Sequence, residues 1–126
     1  MHFLRYFGLL ISLLILLTQC NDSDDGIFTQ AGVTTKVVDE TVVIENNHGK
    51  PISYFAVEEE TSYLIDWGPS SREENTIANG DSKAVPWDDI MSDGLLREGD
   101  RIIIYWWVAQ DSLSASVEIK QNIVVL

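Results

Sequence analysis

Cysteine is almost missing from this chain: Cys20 is the only one, so no disulfide can form within it and the core has to hold without a covalent staple. Histidine is nearly as scarce, with His2 at the start and His48 alone in the body. A structural zinc site draws on several such ligands and is not expected; with no thiol in the body of the chain beyond Cys20, Cys/His catalysis is not expected either. A Ser/His/Asp triad would have to be built around His48, and no Gly-x-Ser-x-Gly turn is present to raise a nucleophile. Basic residues are few, 8 Lys and Arg against 20 Asp and Glu, for a formal charge of −12. A nucleic acid or an anionic surface needs a basic footprint and is not an expected partner. Helical periodicity is also missing, since no segment sustains a 3.6-residue apolar repeat over three turns.

The one long hydrophobic run is at the beginning. Arg5 precedes a charge-free stretch, Phe7 to Leu17, broken only by Gly8 and Ser12. As a helix it would measure roughly 17 Å, short of the ~30 Å hydrocarbon core of a bilayer, so it reads as the apolar segment of a secretory signal. The run ends in Leu17-Thr18-Gln19-Cys20, which resembles a bacterial lipobox with Gln19 where a small residue is usual. The resemblance implies cleavage before Cys20, attachment of lipid such as palmitate to Cys20, and a membrane held through that anchor. Asn21-Asp22-Ser23-Asp24-Asp25-Gly26 follows, and the acidic cluster Asp22, Asp24 and Asp25 resembles the surface-export signal of Bacteroidetes-type lipoproteins. The chain is then expected in the bacterial envelope, anchored in the outer membrane and facing the cell exterior, with a periplasm-facing orientation as the alternative. Loss of Arg5 with the signal leaves 7 basic and 20 acidic residues, a net −13. The same polar stretch brushes against a calcium-loop pattern, but Gly32 falls where the bidentate Glu belongs, and no metal or other cofactor is expected.

Three segments result: a signal over 1–19, a lipidated Cys and flexible acidic tether over 20–32, and a domain over 33–126. From Val33 onward, short runs rich in Val, Ile, Tyr and Trp alternate with Gly, Asn, Asp and Pro clusters, the pattern of strands and turns. Strands are predicted over Val33–Val38 at a sheet edge, over Thr41–Asn46 and Ile52–Glu58 as an antiparallel hairpin, and over Ser62–Trp67. Others follow at Lys83–Val85, Arg101–Ala109 and Ser116–Leu126, with a helical turn near Asp88–Ser92. About seven strands with turns every 8 to 15 residues fit an all-β sandwich of immunoglobulin or fibronectin type. In the last strand, alternation sets Val117, Ile119, Ile123 and Val125 on one face and Glu118, Lys120 and Asn122 on the other.

Candidate chemistry is sparse. Glu58-Glu59-Glu60 and Asp88-Asp89 supply carboxylates, but adjacent residues of an extended chain point apart, so neither run aims two carboxyls at one point as a glycosidase requires. His48 reads as an exposed turn residue. Asp111-Ser112-Leu113 matches the three-residue O-glycosylation pattern known for Bacteroidetes, with Ser112 as acceptor. Arg101–Ala109 is the informative strand: Ile102, Ile104, Trp106 and Val108 take one face, Ile103, Tyr105, Trp107 and Ala109 the other, and both are apolar. Either Trp87, Ile90, Leu95 and Leu96 fold over the second face, or Tyr105 and Trp107 form an open aromatic platform for a sugar or protein partner. The expectation is a non-catalytic, lipid-anchored binding or assembly module. A purely structural lipoprotein without ligand, or a small carboxylate-dependent hydrolase, is the alternative.

Overall fold

Ala31 and Gly32 both adopt positive φ, 51° and 84°, the geometry of a tight hairpin turn that matches the twist of its strands. That turn adds a strand ahead of those expected. The computed structural model describes residues 27–110 and 117–126; Cys20, Asp22, Asp24, Asp25 and Ser112 lie outside the described residues. The strands are β1 (Ile27–Gln30), β2 (Val33–Val38), β3 (Thr41–Asn46), β4 (Ile52–Glu58), β5 (Thr76–Ile77), β6 (Ser82–Pro86), β7 (Arg101–Val108) and β8 (Lys120–Val125). They form two antiparallel four-stranded sheets, β1-β2-β3-β6 and β5-β4-β7-β8. With β1 set aside, the orders correspond to A-B-E and C′-C-F-G of an immunoglobulin-type sandwich. The all-β sandwich therefore holds, with eight strands among the described residues where about seven were expected. β1 lies in what reads as tether, and it makes β2 an inner strand instead of an edge.

Between the sheets, Val33, Val42, Ile44 and Val85 meet Ile52, Ala56, Ile77, Ile102, Ile104, Trp106 and Val124. The central position of β7, between β4 and β8, keeps the N–H and C=O edges of this apolar strand from outside pairing.

Five further local expectations are overturned. β3 and β4 are not a hairpin: β3 pairs with β2 and β6, and β4 with β5 and β7, so residues 47–51 cross from one sheet to the other. The crossing is fixed by Asn46, whose buried amide nitrogen donates to Lys50 O at 2.8 Å and Ile77 O at 3.0 Å while its Oδ1 accepts from His48 N. Ser62–Trp67 is no strand, because the Glu58 carboxylate caps a helical turn at Glu59–Ser62 by accepting from Glu60 N and Thr61 N. The later helical turn is a 3-10 turn at Trp87–Asp89, earlier than expected. In β8 the faces are reversed: Asn122 and Val124 are buried, whereas Val125 is exposed. Asn122 enters the core because its amide donates to Val33 O at 2.9 Å and accepts from Trp106 Nε1 at 3.0 Å. His48 also departs from expectation. It is half-buried, edge-on to Trp106 at 5.3 Å, with Nδ1 2.8 Å from Ala31 O.

Candidate binding groove

Alternation along β4 and β7 builds a second apolar layer on the outside of the second sheet. Ser53, Phe55 and Val57 share that face with Trp107, Tyr105 and Ile103, paired one to one across the strands. Val57, Ile103 and Trp107 are buried, with Trp107 only 2% exposed. Tyr105 and Trp107 are thus not an open platform. Their cover is also not the expected one: Ile90 joins the central core, Trp87 and Leu96 pack against it, and Leu95 is 91% exposed.

The cover is Trp67. Its ring lies 4.8 Å from Phe55, 4.7 Å from Tyr105 and 5.9 Å from Trp107, centroid to centroid. The segment carrying it is pinned by Ser71, whose Oγ accepts from Ser53 Oγ at 2.8 Å, Gln110 N at 3.2 Å and Trp107 Nε1 at 3.3 Å. Asn75 fastens the far side, accepting from Arg72 N and donating to Ser70 O and Tyr54 O. A loop after Gly68-Pro69 would otherwise have no reason to stay on the sheet. These bonds, with the stacked indole, hold it there.

Placing the segment there leaves a hollow beside it. On the free side of β4, β5 pairs only with Ile52 and Ser53, and the next partner is Met91 opposite Val57. The gap opens into a groove of about 650 Å³ lined by Tyr54, Phe55 and Ala56 of β4 together with Trp67, Arg72, Asp88 and Asp89. This volume lies in the ~300–1,000 Å³ range of ligand pockets. Partial burial, and after it the nearby Asp89 carboxylate, push the Tyr54 hydroxyl above its ordinary value, so it stays a neutral donor across physiological pH. The charged lining is Arg72 against Glu74, Asp88 and Asp89. Arg72 sits 3.9 Å from Glu74 with both side chains largely in water, a pairing of little energetic weight.

Of the carboxylates singled out by sequence, Asp88 and Asp89 line this groove. Glu58 and Glu60 border a separate hollow of about 320 Å³ with Asp93 and Asp100. Partial burial would raise the Glu58 carboxyl, but bonds from Glu60 N, Thr61 N and Thr61 Oγ1 outweigh it and hold it below its ordinary value. Glu59 pairs with Arg101 at 2.6 Å. Sequence reasoning missed Trp67, Ser71 and Tyr54. One signal was available: an indole directly before Gly68-Pro69 needs an apolar seat, and the second face of β7 was the large apolar surface without a partner. Against models of protein families, curated proteins and solved structures the chain finds no match, so the groove is read from its own residues.

Proposed function

We propose that this protein is a lipid-anchored, non-catalytic module of the bacterial envelope that binds or assembles with a partner through the groove beside Trp67. The observation that carries the binding role is the groove itself, a hollow walled by Trp67, whose ring stacks on Tyr105 and whose segment is pinned to the sheet by hydrogen bonds at Ser71. Preorganisation of this kind lowers the ordering cost of association. What supports the anchor is the apolar run Phe7–Leu17 ending at the lone Cys20, with Asp22, Asp24 and Asp25 as the export signal that favours the outer surface. A protein or glycan partner suits this reading; a nucleic acid does not, because the net charge is −12.

Two measurements test the two halves. Radiolabelled palmitate should enter the wild-type protein and not Cys20→Ser, and equal labelling would remove the anchor. Full-length protein extracted with its membrane should retain a partner that the double charge reversal Asp88→Lys with Asp89→Lys releases. Ala84→Lys, exposed on the first sheet, should leave it bound. Identical partners in all three preparations would remove the groove as binding face.

A further inference from the structure

We infer that the groove takes an arginine side chain presented by a partner protein, with the guanidinium stacked on Trp67 and paired to Asp88 and Asp89. This rests on the groove being the binding face and adds the chemistry of what enters it.

The charge balance sets the sign. Glu74, Asp88 and Asp89 outnumber Arg72, and Arg72 already neighbours Glu74. Asp88 and Asp89 join none of the ion pairs among the described residues, which link Lys36 to Glu45, Arg72 to Glu74, Arg101 to Glu59 and Lys120 to Glu118. A phosphate, sulfate or uronate would meet three carboxylates against the single guanidinium of Arg72, so an anionic ligand is disfavoured. A cation gains from both.

The aromatic wall narrows the choice. Trp67 stays partly exposed and lines the groove while stacked on Phe55 and Tyr105. An indole is the strongest ring for a cation over its face, and guanidinium is the cation that both stacks flat and forks two N–H donors onto carboxylates. A β-strand is a poor occupant, since β5 and Met91 leave only Tyr54 to Ala56 of the β4 edge without a strand partner. Even there Tyr54 O accepts from Asn75 Nδ2 and Ala56 O from Met91 N, so the edge has little left to offer a strand. A side chain entering end-on fits this geometry better than a backbone lying along it.

The test uses the isotope-labelled full chain in detergent micelles and three probes: a capped arginine-containing peptide, the same peptide with glutamine for arginine, and a neutral oligosaccharide. The Trp67 indole N–H resonance, assigned with Trp67→Phe, and the amides of 88–91 are followed. The arginine peptide should shift them, the glutamine peptide should bind about tenfold more weakly or worse, and Asp88→Asn with Asp89→Asn should remove that preference. Added salt should weaken the arginine peptide selectively. Equal shifts from both peptides overturn the inference. If the oligosaccharide alone moves the groove resonances, and does so equally in the double Asn variant, the binding face stands and the arginine reading falls. If no probe moves them, both fall.

Discussion

Asn46 and Asn122 each bury a side-chain amide completely, and each joins strands that backbone ladders do not connect. Asn46 ties the end of β3 to Ile77 O at the sheet opposite, and Asn122 ties β8 to Val33 O and Trp106. Replacing Asn46 by Ala would leave two carbonyls and the His48 N–H without that partner. The expected loss is on the order of 1–3 kcal/mol in urea unfolding; an unchanged midpoint would mean water satisfies the crossing. Ser71→Ala removes one acceptor from three donors and should cost a similar amount. Gly32 is a different case, since a Cβ there would sit 2.5 Å from Asn47 O on a backbone at φ +84°. Gly32→Ala should destabilise by roughly 1–3 kcal/mol. Gly80→Ala, at φ +87° but facing open space, should cost less. These residues explain why the face of β8 was misread: in an alternation pattern a buried Asn is indistinguishable from a solvated one. Only its partners, 89 residues away in sequence for Val33, reveal that it is inside.

At the scale of elements, β2, β3, β4, β6 and β7 were legible because their β-branched runs are bounded by turn residues, and local chemistry decides such segments. What was not legible is which runs pair. Thr41–Asn46 and Ile52–Glu58 look like a hairpin by loop length alone, and the side chain of Asn46 redirects the chain between sheets. The groove was invisible for the same reason, since it arises where β5 stops short and a distant turn at Trp87–Asp89 approaches. The second apolar face of β7 was legible, but its cover was not. Because Trp67 seals Trp107 to 2% exposure, Tyr105→Ala with Trp107→Ala should lower unfolding stability by several kcal/mol, at least about 3. Near-normal stability would mean the layer carries no load. The helical turn after β4 makes a pH prediction. The Glu58 carboxyl is held below its ordinary value, so it contributes stability that is present above the unfolded carboxylate pKa and lost as pH falls through the lowered folded value. Glu58→Gln should flatten the acid limb of the stability curve there, and an identical limb in both proteins would show that the cap is not felt.

For the whole molecule, the start of β1 at Ile27 places the sandwich six residues beyond Cys20. If Cys20 carries lipid as proposed, a connection of that length reaches no more than about 25 Å even when fully extended. The domain would then stand close to the membrane, with its groove on the β4–β6 flank, away from the β1–β8 flank where the chain enters. An excess of twelve negative charges over the whole chain keeps such a protein from anionic surfaces, while the two aspartates of the groove concentrate that sign where a basic partner would dock.

The most direct measurement uses the shortage of cysteine with which the chain began. If the Cys20 thiol carries lipid as proposed, Ser70→Cys in the groove gives the protein a single free thiol, and Ala84→Cys does the same on the exposed face of the first sheet. Maleimide labelling rates are taken for each variant in intact cells and after purification, and the cell-to-purified ratios are compared. Occupancy of the groove predicts that the ratio for Ser70→Cys is several-fold lower than that for Ala84→Cys. Equal ratios would mean that nothing fills the groove where the protein works, and would contradict the assignment of this groove as its binding face.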